Sequence, residues 1–334
     1  MFKGISRVFA ASALLTASLL GAAQAAEQEL NFGIISTESS QNLKTVWDPF
    51  LADMSKQTGM KINAFFAPDY AGIIQGMRFD KVDVAWYGNK SAMEAVDRAG
   101  GQIFAQTVAF DGSEGYYSLM VAHKDSALTS IDDMLKNAKS LTFANGDPNS
   151  TSGYLVPGYY VFAKHNVEAN KIFKRVLTGS HEVNALSVAN KQVDVGTFNS
   201  ETMERLQITA PDKAAQLKVI WTSPLIPSDP MVWRKNLDEA TKTKLRTFFM
   251  TYGDKPAELK VLENLQWAKF KASDDDQLLP IRQLELFKKR SEVAGNATLD
   301  AADKQAQLKA LDEELAKLGK RMAELEHSSA VSAG

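Results

Sequence analysis

The chain has no cysteine among its 334 residues. Disulfides, thiolate metal sites and cysteine nucleophiles are thereby excluded, as is a lipid carried on an N-terminal cysteine. Histidine is nearly as scarce, with four residues at 123, 165, 181 and 327 that do not fall at metal-ligand spacing. No metal site is expected, and nothing calls for a cofactor. An excess of one charge is also lacking: 38 basic residues stand against 40 acidic ones, which argues against nucleic acid or an anionic membrane as partner. The one long apolar run, Val8 to Leu20, follows Lys3 and Arg7 and precedes Ala23-Gln24-Ala25. It falls short of the roughly 20 residues of a spanning helix. The layout is that of a secretory signal, residues 1–25, cleaved near Ala25, and the expected location is the periplasm, without a lipid anchor.

The remaining 300 or so residues are too many for one simple core and point to two lobes of about 100 to 150 residues each. Short β-rich runs alternate with amphipathic stretches. Strands are expected at 30–35, 62–67, 82–87, 103–108, 116–122, 141–144, 173–177 and 193–198, with helices at 41–58, 71–79, 91–98, 153–164 and 182–190. Pro157 and Gly158 inside the 153–164 helix predict a short first turn and a bend. The fold class is α/β, two lobes each built on a mainly parallel sheet flanked by helices. The first lobe takes residues 27–115 and regains 225–290 after the chain has built the second from 116–224. Beyond it, Leu308, Leu311, Leu315, Leu318, Met322 and Leu325 form a heptad stripe in a helical extension, 291–326. The stripe packs on the chain's own lobe or pairs with a second copy into a homodimer. Residues 327–334 are expected to be disordered.

One motif echoes between the lobes. Val82-Asp83-Val84 runs on to Trp86-Tyr87-Gly88-Asn89, and Val193-Asp194-Val195 runs on to Thr197-Phe198-Asn199. Ligands of open α/β sheets bind beyond the carboxyl ends of strands, so both corners should face one cleft.

The densest chemistry lies in Gly146-Asp147-Pro148-Asn149-Ser150-Thr151-Ser152-Gly153. Asp147, Pro148 and Asn149 make a turn after a strand, and Ser150 or Thr151 can cap the following helix. A helix N-terminus offers unpaired N–H groups and partial positive charge, to which three consecutive hydroxyls add donors. This suits a phosphate-like anion and requires no basic side chain; an empty capping cluster is the alternative. Tyr70 and Tyr116 stand in loops at the expected cleft, Glu201 follows the second corner, and Asp229 lies in the Pro-rich segment 224–230 that returns to the first lobe. Ser150, His181 and Asp229 are the residue types of a hydrolase triad, yet the chain has no Gly-x-Ser-x-Gly elbow and no metal or basic clamp for a phosphatase. The chain is not expected to be an enzyme.

The strings LNFGIISTES, NAFFAPDYAGIIQGMRFDKVD, AWYGN, SAMEAVDRA, NGDPNSTSG, LVPGYYVFAK, NALSVANKQVDV and SPLIP resemble the periplasmic phosphonate-binding proteins of ABC-type importers, from about Leu30 to Phe287. The resemblance implies the two-lobed, two-crossover (type II) periplasmic binding fold, hinged near residues 110–117 and 223–230. It implies a phosphonate ligand such as 2-aminoethylphosphonate and a membrane permease as partner. Ser150, Thr151 and Ser152, with adjacent backbone N–H groups that include Gly153, would hold the phosphonate oxygens. Tyr70 and Tyr116 would line the pocket, His181 and Tyr87 would support it, and Glu201 and Asp229 would receive an ammonium. Two such carboxylates disfavour inorganic phosphate. Phe198 departs from the pattern nearby and can reshape the pocket. The alternatives are a phosphate- or phosphite-type oxyanion binder and a ligand-sensing subunit of a receptor.

Overall fold

A computed structural model of the chain describes residues 28–332; the expected signal segment and cleavage site lie outside the described residues. The first lobe begins with β1 (Glu29–Ile34), α1 (Ser40–Thr58), β2 (Lys61–Phe66), α2 (Tyr70–Arg78), β3 (Val84–Trp86), α3 (Asn89–Arg98) and β4 (Gly101–Ala109). The chain crosses through β5 (Gly115–Tyr116) into β6 (Ser118–His123), α4 (Ile131–Asn137) and β7 (Thr142–Asn145). A helical run over residues 151–165 follows, then α5 (Ala169–Ile172), β8 (Arg175–Thr178), α6 (His181–Ala189), β9 (Val195–Asn199), α7 (Ser200–Thr209), α8 (Pro211–Ala214) and β10 (Leu217–Thr222). It returns by β11 (Ile226–Pro227) to β12 (Pro230–Arg234), α9 (Glu239–Thr251), α10 (Pro256–Asn264), β13 (Trp267–Ala272), α11 (Leu279–Gly295) and α12 (Ala301–Ser332).

The strands form a six-stranded sheet of order β13-β4-β12-β3-β1-β2 and a five-stranded sheet of order β10-β6-β9-β7-β8. Each holds a parallel trio, β3-β1-β2 and β9-β7-β8, as alternating strands and helices dictate. The sheets are more mixed than expected, and the reason lies in the crossings. β6, the first full strand after the crossing into the second lobe, runs antiparallel to β9 and β10, and β12 and β13, added on return, run antiparallel to their neighbours. The crossings themselves pair as β5 with β11. Their approach requires glycine: a Cβ on Gly115 would overlap the carbonyl oxygen of Ile226.

The two Val-Asp-Val corners are built alike. Asp83 takes the N–H of Asn31 on its carboxylate at 2.7 Å and returns its own N–H to the Asn31 carbonyl. Asp194 does the same with Thr142, also at 2.7 Å. Each aspartate thus fixes where two parallel strands begin to pair, which aims their carboxyl ends at one cleft.

Aromatic rings dominate the first lobe's core. Trp47 is 1% exposed and its ring centroid lies 5.3–5.8 Å from those of Phe32, Phe50, Trp86 and Trp267. Trp86 and Trp267 also line the cleft, so this core supports the site directly. Trp47→Ala is expected to cost about 3–5 kcal/mol in urea unfolding, since cavity and transfer terms add for a large buried ring; a loss below about 1 kcal/mol would show that the cluster is not cooperative.

The C-terminal region is a helical hairpin. α12 packs along α11, with Arg290 paired to Asp312 at 2.5 Å and Arg321 to Asp276 at 2.7 Å. The heptad stripe is half-buried and finds a partner inside the chain, so a second copy is not needed to cover it. α12 continues to Ser332, into the stretch expected to be disordered. α11 also bridges the lobes: its Ile281 and Leu284 pack with Tyr116, Leu155, Val156 and Ile226, and Arg282 grips Asp97 of α3 through two bonds of 2.6 and 2.7 Å.

Candidate functional site

The cleft between the lobes is lined by Tyr70, Trp86, Tyr116, Ser150, Thr151, Ser152, His181, Asn199, Glu201 and Asp229, together with Glu38, Arg205 and a few apolar neighbours. Its floor in the second lobe is the start of the 151–165 helix. Ser150 is the N-cap: its Oγ accepts the Gly153 N–H at 2.9 Å. The helix runs in a wide register, with N–H groups of Leu155, Val156 and Ala163 bonded five residues back to Ser150, Thr151 and Gly158. Pro157 has no N–H and crowds the carbonyl four residues before it, and the wide turns carry the helix through it where the sequence predicted a bend. The first N–H groups of a helix have no partner within it, so those of Thr151 and Ser152 face the cavity with the hydroxyls.

Ser150, Thr151 and Ser152 are each 2% exposed, and each hydroxyl oxygen is already engaged as an acceptor. Ser150 takes the Gly153 N–H, Thr151 takes the Lys90 N–H from the other lobe at 2.9 Å, and Ser152 takes Asn199 Nδ2 at 3.3 Å. Their protons are what they have left to offer. His181 Nε2 lies 3.4 Å from Ser150 Oγ and 3.3 Å from Ser152 Oγ, while Nδ1 has no partner. Burial lowers the His181 pKa to about 4, so the ring is neutral at pH 7. A neutral Nε2 has a single lone pair, so at least one serine proton stays free for a ligand.

The opposite wall is acidic. Asp229 is 5% exposed and accepts the Tyr116 hydroxyl at 3.0 Å and Asn89 Nδ2 at 3.5 Å. Burial, and then the neighbouring Glu201 charge, pushes its pKa well above the usual carboxylate range. Glu201, in the first turn of α7, makes no side-chain hydrogen bond among the described residues. Burial raises it to about 7 against the pull of Arg205. Burial also raises the Tyr70 and Tyr116 phenols, which stay protonated; the Tyr116 proton is already given to Asp229. Two buried carboxylates facing each other without a cation between them are an unsatisfied arrangement.

The unsatisfied groups concentrate at this cleft. Four buried side-chain nitrogen or oxygen atoms have neither a hydrogen-bond nor an ion-pair partner among the described residues: Trp86 Nε1, His181 Nδ1, Arg205 Nη1 and Gln266 Oε1. Three of the four belong to residues that line the cavity. Orphaned buried polar atoms are rare in folded proteins, and a cluster of them marks a place where a polar solute completes the structure.

A model of the periplasmic substrate-binding proteins of phosphonate ABC transporters matches residues 32–278. The chain belongs to that family. It is 63% identical over 304 residues, 88% of its length and 90% of the relative's, to the phosphonates-binding periplasmic protein of Escherichia coli K12. A crystal structure of the binding component of a Pseudomonas aeruginosa ABC phosphonate transporter superimposes with TM-score 0.89 at 72% identity, covering 90% of this chain and 99% of that one. A Prochlorococcus marinus protein solved with methylphosphonate shares the fold at TM-score 0.70 and 23% identity, covering 79% of this chain and 99% of its own. The fold is thus that of the type II periplasmic binding proteins, and the chain is a periplasmic phosphonate-binding component of an ABC transporter, not an enzyme. No helix among the described residues is long and apolar enough to cross a membrane.

For this phosphonate-binding chain the structure brings Ser150, Thr151, Ser152, Tyr70, Tyr116, His181, Glu201 and Asp229 to one cavity. Two named residues play other parts. Gly153 spends its N–H on Ser150, and its backbone packs on Gly146, where a Cβ would come within 2.6 Å of it. Tyr87 is fully buried in the first lobe's core and donates its hydroxyl to the Ile73 carbonyl at 3.0 Å, which steadies α2 behind Tyr70.

The cleft is also lined by residues that the sequence did not mark as site residues, among them Trp86, Arg205 and Glu38. Trp86 was read only as part of a corner. Arg205 places a guanidinium in a cleft thought to need no basic side chain, with Nε 2.8 Å from Glu38 Oε1 of the other lobe. The four-residue spacing of Glu201 and Arg205 on one helix was the available signal; nothing in sequence announced Glu38.

Proposed function

We propose that the protein captures zwitterionic phosphonates of the 2-aminoethylphosphonate kind and presents them to the membrane permease of an ABC importer. The phosphonate rests on the N-terminus of the 151–165 helix, taking protons from Ser150, Thr151, Ser152 and the neighbouring N–H groups, with Tyr70 and Tyr116 closing over it. The ammonium lies between Glu201 and Asp229. The observation that carries the reading is the pairing, in one cavity, of a donor-rich helix N-terminus with two carboxylates that burial raises and that no lysine or arginine meets in an ion pair. Anion and cation sites a few ångströms apart match a short zwitterion. Inorganic phosphate would satisfy the first and set an oxygen against the second. Export with loss of residues 1–25 and no lipid anchor belongs to the same reading.

Calorimetric titration of refolded protein with 2-aminoethylphosphonate, methylphosphonate and inorganic phosphate tests it. The aminophosphonate should bind tightest and phosphate weakest; tightest binding of phosphate would move the chain to the oxyanion binders. The pH dependence is a sharper form of the test. Glu201 is raised to about 7 by burial, so at lower pH the ammonium must displace a proton from it. Affinity for 2-aminoethylphosphonate relative to methylphosphonate should therefore fall as pH drops from 8 to 5, by about tenfold per unit at the low end if one proton is displaced. A ratio independent of pH would place the ammonium away from Glu201. Unliganded protein has the opposite trend from this group: a carboxyl whose folded pKa is raised contributes stability at low pH that is lost as pH rises through 7.

A further inference from the structure

The lobes also meet around the rim of the cavity, at Tyr70 with Asp147, at Gln266 with Glu204, and with three bonds at one short segment. Thr37, Glu38 and Ser39 lie in the turn from β1 into α1 of the first lobe, and Asn42 in the first turn of α1. Glu182, the second residue of α6 in the other lobe, grips that turn. Its carboxylate accepts the Ser39 N–H at 2.7 Å through Oε2 and Asn42 Nδ2 at 2.6 Å through Oε1, while its own N–H donates to the Thr37 carbonyl at 3.2 Å. Ser39 is the N-cap of α1, so a carboxylate from one lobe sits on the positive end of a helix in the other. Glu182 does not line the cavity. The residue before it, His181, lies against both Ser150 and Ser152, so the first turn of α6 carries one side chain to the anion cradle and the next across the cleft.

We propose that Glu182 is a latch: a positioning residue that touches no ligand and sets how far the two lobes favour the closed state, and so scales affinity for every ligand alike. The proposal rests on the capture reading for its meaning but not for its test. Its three bonds join groups that separate when the lobes part, whereas bonds within either lobe persist in both states. When only the closed state holds ligand, apparent affinity is the intrinsic affinity multiplied by the closed fraction. Removing a closed-state contact lowers that fraction by one factor for all ligands.

The test compares the mature protein with Glu182→Ala, Glu182→Gln and Asn42→Ala. Dissociation constants for 2-aminoethylphosphonate and methylphosphonate should rise together about 5- to 30-fold in Glu182→Ala, with their ratio unchanged within twofold, and less in the other two variants. Small-angle scattering of unliganded protein should show a larger radius of gyration for Glu182→Ala, and its urea midpoint should match the parent. The scattering arm needs no phosphonate, so it decides the latch even if the capture reading fails. A change in the ligand ratio would make Glu182 a specificity group instead, and unchanged affinity and compactness would remove the latch altogether.

Discussion

Replacing Glu201 by Gln and Asp229 by Asn together is expected to weaken 2-aminoethylphosphonate binding by at least about 100-fold and to leave methylphosphonate within about threefold. Each substitution keeps shape and hydrogen-bonding capacity and removes the charge that an ammonium needs. A hydrogen bond to a charged partner contributes about 1.5–3 kcal/mol, and two give the expected factor with room for non-additivity. Methylphosphonate carries no ammonium, so it has nothing to lose there. The same pair should be more stable than the parent when unliganded at pH 7.5, because burial disfavours the charged form of both carboxyls and the amides carry no charge to bury. Calorimetry and urea unfolding on one preparation separate the two effects. Equal losses for both ligands would show that the acidic wall holds the pocket's shape rather than the ammonium.

The cradle predicts the complementary pattern. Thr151→Val with Ser152→Ala removes two hydroxyl donors from the phosphonate and should weaken 2-aminoethylphosphonate and methylphosphonate alike, by at least about 50-fold. Hydroxyl bonds to an anion lie at the stronger end of the scale, and the oxygens lost also serve Lys90 N–H and Asn199 Nδ2, which would be left unpaired. Ser150 is a poorer probe because it caps its helix through Gly153, and Ser150→Ala would cost about 0.5–2 kcal/mol of stability as well. A ligand-selective loss in the double variant would mean that these hydroxyls meet the organic end of the ligand.

Much of this was legible in the chain because the informative residues act locally. The cap at Ser150 needs only its neighbours, and the Val-Asp-Val echo appears in the structure as two aspartates with the same pair of bonds, Asp83 to Asn31 and Asp194 to Thr142. What stayed hidden depends on distant contacts. Arg205 and Glu38 are ordinary charged residues until lobe packing sets them 2.8 Å apart, and Glu182 is an ordinary first-turn acid until α1 of the other lobe meets it. The reversed strands β6, β12 and β13 follow from the crossings rather than from any local pattern. Tyr87, expected to support the pocket, turns its side chain into the core and bonds Ile73 of α2. Pro157 predicts a bend from local sequence alone, whereas five-residue hydrogen bonds carry the helix through it.

If one cavity holds both ends of a zwitterion, a crystal structure of the refolded protein with 2-aminoethylphosphonate will show it. The phosphonate oxygens should lie within hydrogen-bond distance of Ser150, Thr151 and Ser152, and the nitrogen within hydrogen-bond distance of both Glu201 and Asp229. A ligand lying the other way round, or a nitrogen that reaches only solvent, would contradict it.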